Sequence, residues 1–454
     1  MSGYLFKNLF IRWINVVRKK EIGKFEVISI AIGSIIGTGA FLLPGDLFLS
    51  KIGFLNTVIG IAIGAILVFA IEKNYSFLIK KFPKAGGENI FVKNIIGKKN
   101  AFVCGWLLVL SYFTIIPLNA TAVPVVINTI FPDFLKFGYL YNINGNIYFG
   151  ELAVSIISLL VFLYFNIKGI KFASMVQNIM VFFLVGIVLM SAGLLMYLNG
   201  LDYPVLARHI REPLNFSNIL KILSVAPFLF IGFDCIPQIT EELNFDTKKL
   251  SFLAGFSIFL GGFLYICLTF IAAYGLTKEQ LLMTNVNWAA GYAVELFFHR
   301  AGLLCLGFAF FTAIVAGING FYMSSSRLML AMAEEGDLPK YFTKEKNGNP
   351  TNALIILCIL SCIVAFSGRN TVLWSLDVSS VGAALGYFYT SYAAFKLHKS
   401  EGRFSFCGIA GVLIGGIFAI LLLIPVFSTS LNGASYMTLF IWCVMGAVLY
   451  NKIF

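Results

Sequence analysis

The sequence predicts an all-α integral membrane protein of about twelve helical spans. Three observations predict it. Apolar runs of about 20 residues recur along the chain, the length a helix needs to cross roughly 30 Å of hydrocarbon. Only 12% of the 454 residues are charged, against about 25% in a soluble domain. Lys and Arg gather at the termini and in every second connection, roughly 24 of them against roughly 8 in the intervening connections. The runs lack the period-two alternation of a barrel strand, and lipid offers no partner for an open backbone, so a helical bundle is the remaining spanning structure.

The spans are expected to begin near residues 26, 55, 101, 149, 173, 218, 251, 301, 353, 371, 406 and 433. Ahead of the first, residues 1–24 read as an amphipathic segment on the inner membrane surface. Leu5, Phe6, Leu9, Phe10, Trp13 and Val17 form an apolar stripe there, and Lys7, Arg18, Lys19 and Lys20 suit anionic head groups. The basic clusters Lys80 to Lys99, Arg327 to Lys346 and Lys396 to Arg403 lie in alternate connections, so both termini are expected in the cytoplasm. The net charge of +12 then reflects membrane topology rather than nucleic-acid binding. The eight cysteines lie in or beside apolar runs, as buried small hydrophobes rather than a disulfide framework.

Two spans depart from a plain helix. The first carries Gly33, Gly37, Gly39 and Gly45 with Pro44; the sixth carries Gly232 between Pro227 and Pro237, with Asp234 at mid-depth. Glycine and proline weaken a helix where every backbone bond matters, so both spans are expected to be discontinuous. Breaks five spans apart fit an inverted repeat of five helices plus five, residues 25–200 and 214–397, with residues 404–454 adding two helices. Such a pair points to a ligand site at the membrane midplane, because broken ends present bare N–H groups to an anion and bare carbonyls to a cation. Glycines at this spacing also serve plain helix packing; the corresponding breaks and the intramembrane acid favour a site.

Asp234 is expensive inside a span unless paired, and is expected to act as a proton acceptor or gate. Glu72 and Lys73 are expected to pair structurally. Ser111 and Thr114 are candidates to line the site, with bonding to their own helix as the alternative. Ser324 to Ser326 offer oxygens for sodium or simply pack. Arg327, Glu334, Glu335 and Asp337 form either an inner gate with Glu241 and Glu242 or a solvated charge cluster. His209, His299 and His398 are too scattered for a metal site, and no cofactor is expected. No H-E-x-x-H, G-x-S-x-G or aspartate pair suggests an enzyme, and no repeated pore loop suggests a channel.

These residues resemble the amino acid/polyamine/organocation transporter superfamily, specifically bacterial amino acid permeases. The likeness rests on Gly33-Ser-Ile-Ile-Gly-Thr-Gly-Ala-Phe-Leu-Leu-Pro-Gly45, Phe82-Pro-Lys-Ala-Gly-Gly-Glu88, Phe230-Ile-Gly-Phe-Asp234 with Glu241-Glu242, and Gly317-Ile-Asn-Gly-Phe321 with Glu335-Gly-Asp-Leu-Pro339. It implies a secondary carrier of an amino acid or derived amine in the cell membrane, working by exchange or by symport with H+ or Na+; the alternative is a polyamine or organic amine carrier. It implies further that Gly37, Thr38 and Gly39 donate amides to a substrate carboxylate. Carbonyls of Ile35 and Ile231, beside Gly232, would accept the amine, with Phe228 and Phe321 as gating aromatics. The chain departs from the pattern in lacking a lysine two turns beyond Gln177, in Phe77 where a glutamate is usual, and in Asn244-Phe245-Asp246 after the sixth span.

Overall fold

The apolar runs fold as helices whose polar backbone is satisfied within each segment, and the exceptions place the site. The computed structural model describes residues 20–453 apart from 144, 284, 285, 287, 347, 370–372, 426, 428 and 429, so most of the amphipathic segment 1–24 lies outside the described residues. The chain enters as α1 (Lys24–Ile35), breaks, resumes as α2 (Thr38–Leu43), and continues as a π-helical stretch over Pro44–Ile52. Then follow α3 (Phe54–Lys81), the short α4 (Gly87–Ile95), α5 (Lys98–Ala120), α6 (Val123–Ile130), α7 (Phe149–Lys168), α8 (Ile170–Asn199) and the short α9 (Pro204–Ile210). The second half holds α10 (Phe216–Phe230), 3-10 turns over Phe233–Cys235 and Pro237–Glu242, α11 (Leu250–Ala273), the short α12 (Lys278–Met283), α13 (Ala289–Glu334), α14 (Thr351–Ala365) and α15 (Trp374–Ser400). α16 (Phe406–Leu423) and α17 (Gly433–Ile453) close the chain.

Among the described residues, nine helical spans are long and apolar enough to cross a membrane, and α1 with Thr38–Ile52, bent by 49° at their break, makes a tenth. Two expected spans fall on α14, an apolar helix of 15 residues, and on α15, whose Ser375, Asp377, Ser379, Ser380, Thr390 and Ser391 dilute its apolar character. α15 packs between α5 and α16, which keeps much of that polar face off lipid. The start expected near 301 lies inside α13, whose helix leaves regular geometry at His299 (φ 52°, ψ −153°). A small antiparallel hairpin of β1 (Tyr139–Asn142) and β2 (Asn146–Tyr148), not expected from the sequence, occupies the connection before α7. Gly145 takes the positive φ of 148° that the reversal needs.

Polar side chains inside the bundle bond one another across helices. Gln177 of α8 donates to the carbonyls of Ser29 (3.3 Å) and Ala316 (3.1 Å), Asn319 of α13 donates to Gln177 (2.8 Å) and to the Ala173 carbonyl (2.9 Å), and Asn166 of α7 donates to Asn319 (2.9 Å). This chain of amides ties α1 to α7, α8 and α13 where hydrocarbon offers no competing partner. Glu72 and Lys73 pair locally as expected: Ser76 and Ser251 donate to Glu72, and the Lys73 ammonium donates to Ser251 at 2.9 Å. All eight cysteines are free.

One aromatic pair ties α17 to α5. The Trp106 and Trp442 rings stack at 4.3 Å, and each indole N–H donates to the other residue's carbonyl at 2.9 Å. Trp442→Ala removes the stack and the bond donated by the Trp442 indole, while the backbone carbonyl at 442 still accepts from Trp106. It should cost about 1–3 kcal/mol, seen as a lower midpoint of thermal unfolding in detergent and faster proteolysis before α17.

Candidate substrate site

The two broken spans meet. α1 ends at Ile35, Ile36 and Gly37 are extended (φ −96°, ψ 91° and φ −114°, ψ −153°), and the helix restarts at Thr38. α10 ends at Phe230; Ile231 is non-helical (φ −58°, ψ 131°) and Gly232 takes φ 130°. A Cβ on Gly232 would lie 2.7 Å from the Ile35 nitrogen and from the Ser34 Cβ. Glycine therefore serves twice here, for a positive φ and for the close approach of one break to the other.

Between the breaks lies a narrow cavity of ≈ 10 Å³, with room for about one water, lined by Ser34, Ile35, Gly37, Thr38, Gly39, Ile115, Leu118, Asn119, Phe228, Ile231 and Tyr265. Its wall combines apolar side chains, bare backbone and the uncharged polar side chains of Ser34, Thr38, Asn119 and Tyr265, and no charged side chain lines it. The Phe228 ring covers Gly39 so closely that a Cβ there would sit 2.8 Å from its Cε1. Ser34 Oγ is buried without a protein partner. The Ile35 carbonyl accepts from the Tyr265 hydroxyl at 3.3 Å and keeps a second lone pair. The Cys235 N–H bonds the Gly232 carbonyl (3.2 Å), leaving the Ile231 carbonyl outside the helical ladder.

One predicted donor already has a partner. Asn119 Oδ1 accepts both the Thr38 N–H (3.0 Å) and the Thr38 hydroxyl (2.7 Å), while Asn119 Nδ2 donates to the Ile115 carbonyl (3.1 Å). An acceptor oxygen thus stands at the helix restart, where a substrate carboxylate would be bound. Asn119 and Tyr265 were missed by the sequence reading. The signal for Asn119 was present, since an amide two residues past Pro117 in an apolar span is costly unless it bonds something; Tyr265 is one of 19 tyrosines and carries no such mark.

Asp234 is fully buried, with one carboxylate oxygen accepting the Gly232 N–H (2.7 Å) and the other the Tyr112 hydroxyl (3.0 Å). Its carboxylate is turned onto its own break rather than into the cavity. Ser111 donates to the Ser379 carbonyl (2.6 Å) and Thr114 to the Ser111 carbonyl (3.1 Å). Thr114 lines a different, mostly apolar cavity beside Trp374 and Trp442, so neither residue joins the central one. Helical phase alone does not separate them, since Ser111 lies one turn from Ile115 and Thr114 one turn from Leu118; Ser111 is spent on Ser379 of α15, and Thr114 borders the cavity beside Trp442. Phe321 is buried with its ring centroid 5.8 Å from that of Tyr112, behind the cavity, and Ser324 donates to the Gly320 carbonyl of its own helix (3.0 Å).

Toward the basic face the protein is closed. Arg327 donates through Nε to both carboxylate oxygens of Glu242 (3.1 and 2.9 Å), both side chains nearly buried. The Glu242 carbonyl accepts the N–H groups of Glu21 and Ile22 (both 3.0 Å), and Asn244 donates its N–H to the Ile22 carbonyl (2.9 Å), so the chain ahead of α1 is clasped to the end of the sixth span. Nearby, Lys84 and Lys93 bind Glu335 at 2.5 and 3.1 Å. Burial raises the Glu335 carboxyl, but the two ammonium groups outweigh it and hold the group below its ordinary value. Among the described residues Arg327 and Glu242 thus form an ion pair of the kind expected for an inner gate, and Glu335 belongs to a separate, more open cluster.

A family model described as amino acid permease matches residues 22–450. The chain belongs to the amino acid permease family. This permease is 26% identical over 372 residues to the large neutral amino acids transporter small subunit 2 of Mus musculus, covering 77% of this chain and 65% of that one, so it spans just under two thirds of that relative. It is 23% identical over 454 residues to the branched-chain amino acid permease BcaP of Bacillus subtilis (strain 168), covering 95% and 92%. It is likewise 23% identical over 322 residues to the serine/threonine exchanger SteT of the same organism, covering 71% and 70%.

The contact between Gly39 and Phe228 yields a test of the cavity. Gly39→Ala should abolish ligand-induced thermal stabilisation by pushing the ring into the cavity, and adding Phe228→Ala should restore part of it; a double variant no better than Gly39→Ala would separate the two residues.

Proposed function

We propose that this permease is a secondary active transporter of a neutral amino acid, working by alternating access around the facing breaks in its first and sixth spans. The observation that carries the reading is the pair of facing breaks, whose bare backbone groups border a narrow cavity lined by the uncharged polar Ser34, Thr38, Asn119 and Tyr265 and the apolar Ile115, Leu118 and Phe228. A zwitterion supplies the anion for amides at Gly37, Thr38 and Gly39 and the cation for carbonyls of Ile35 and Ile231 with Ser34 Oγ. An uncharged side chain suits the wall of Ile115, Leu118 and Phe228, because a buried charge there would lack a partner. The substrates in the names of the relatives, large neutral, branched-chain and serine/threonine, agree with a neutral side chain.

In this reading the chain crosses the cell membrane twelve times with both termini and the basic face in the cytoplasm, its first ten spans forming two inverted repeats. The substrate carboxylate displaces Asn119 Oδ1 from Thr38, and Phe228 closes over it. Release inward requires the Arg327–Glu242 pair and the Ile22 clasp to part, after which water reaches the cavity from the cytoplasm. Asp234 holds the sixth-span break in shape through Gly232 and Tyr112. The cycle runs as exchange, or as symport with H+ or Na+.

Purified protein in proteoliposomes loaded with L-leucine should accumulate radiolabelled L-leucine by saturable counterflow. L-arginine, L-glutamate and putrescine should compete weakly, and preferred uptake of putrescine would replace the amino-acid reading with the amine carrier. Asp234→Asn keeps only one acceptor for the two donors, so leucine uptake should fall by about tenfold or more at every pH; loss of pH dependence with the maximal rate preserved would instead make Asp234 the proton carrier. Glu242→Gln should weaken the inner closure, seen as faster labelling by a membrane-impermeant thiol reagent of a cysteine placed at Ser34 in inside-out vesicles.

A further inference from the structure

On the face opposite the basic one, two adjoining cavities lie beyond the central site. The larger, ≈ 380 Å³, is lined among others by Thr121, Lys136, Asn146, Glu151, Ser155 and Arg369. The second, ≈ 350 Å³, shares Lys136 and Glu151 and reaches Trp288 and Glu295. Together they make an antechamber between the outer end of α5, the β1–β2 hairpin, the start of α7 and the segment after α14.

Arg369 stands at its inner limit. Its guanidinium donates to the Leu118 carbonyl and to the Thr121 hydroxyl (3.4 Å). Leu118 and Asn119 line the central cavity and Thr121 lines the antechamber, so Arg369 is bonded to the thin wall dividing the two. Two of the other charges have partners: Lys136 is bound by Asp133 at 2.8 Å, and Glu151 accepts from Asn128 at 2.7 Å. The groups facing Arg369 also include Asp46, on the outer half of the broken first span and within electrostatic reach of it. A guanidinium is a planar fork of donors matched to a carboxylate, and in a cleft its charge raises the local concentration of anions.

We propose that Arg369 forms an outer binding site for the carboxylate of the incoming amino acid, occupied before the central site. A carboxylate there competes with the Leu118 carbonyl and the Thr121 hydroxyl for the same N–H groups. Capture therefore loosens the wall that separates the substrate from Asn119 and Thr38. Arg369 is a specificity residue for entry from this side alone, because substrate arriving from the basic face reaches the central cavity without meeting it.

This inference rests on the amino-acid reading above, and the test separates the two. Initial rates of L-leucine uptake are measured in right-side-out and inside-out proteoliposomes for the wild type, Arg369→Gln, Arg369→Lys and Asn146→Glu. Asn146 lies on the exposed hairpin, away from the wall, so Asn146→Glu adds a repelling carboxylate without touching the Leu118 bond. Arg369→Gln should raise KM on the outer side about tenfold, the worth of one charge-assisted bond, with kcat and the inner-side KM unchanged. Arg369→Lys should recover part of that loss, and Asn146→Glu should raise the outer KM severalfold. An outer KM unmoved in both Arg369→Gln and Asn146→Glu, or an Arg369→Gln effect equal on the two sides, overturns the outer site and leaves Arg369 a structural staple. If Arg369→Gln does not fold, Asn146→Glu decides alone. Wild-type protein that takes up no leucine refutes the amino-acid reading itself.

Discussion

Hydrocarbon cannot hydrogen-bond, and the rest of this structure follows from that. Each backbone N–H and carbonyl at membrane depth must find its partner in the protein, which makes helices of nearly every segment and makes any break a place of unmet polarity. Two breaks are brought face to face at Gly232 and Ile35, so the unpaired groups of one do not face lipid and are enclosed with those of the other. The same need recurs in the side chains. Asp234 is consumed by Gly232 and Tyr112, Asn119 by Thr38 and Ile115, and the Gln177–Asn319–Asn166 chain by carbonyls on four helices.

That economy explains why the central site has no charged side chain and still suits a charged solute. Partial charges at helix ends are fixed in place and cost no reorganisation when an ion arrives, whereas an ionised side chain in the cavity would need compensation of its own. Asn119 shows how the resting site avoids an exposed donor, by placing an amide oxygen where a carboxylate oxygen would go. The two faces differ in the same terms. A buried ion pair and a backbone clasp seal the basic face, while the opposite face holds open cavities whose walls carry solvated charges.

What was legible and what was not divides along the kind of information each feature needs. The all-α membrane class, the near-positions of the helices and the broken first and sixth spans follow from composition and from Gly and Pro placement, which act locally. Gly37, Thr38, Gly39, Ile35, Ile231 and Phe228 do lie at the cavity. Ser111 and Thr114 do not, although each lies one helical turn from a lining residue, Ile115 or Leu118, because which turn of a buried apolar helix meets a cavity depends on how that helix is set against its neighbours. Tyr265 was invisible for the same reason. The β1–β2 hairpin escaped notice because seven strand residues in a polar connection carry little periodicity.

By itself, then, the amino-acid sequence determined that this chain is a bundle of membrane helices, and that two of them, five apart, come apart midway. It did so because lipid penalises unpaired backbone regardless of what packs nearby. Tertiary structure alone decided that the two breaks touch, that Asn119 rather than solvent meets the Thr38 amide, and that Arg369 rests on the Leu118 carbonyl. Those are contacts between residues 81 and 251 positions apart, and no local pattern records which distant partner a polar group will find.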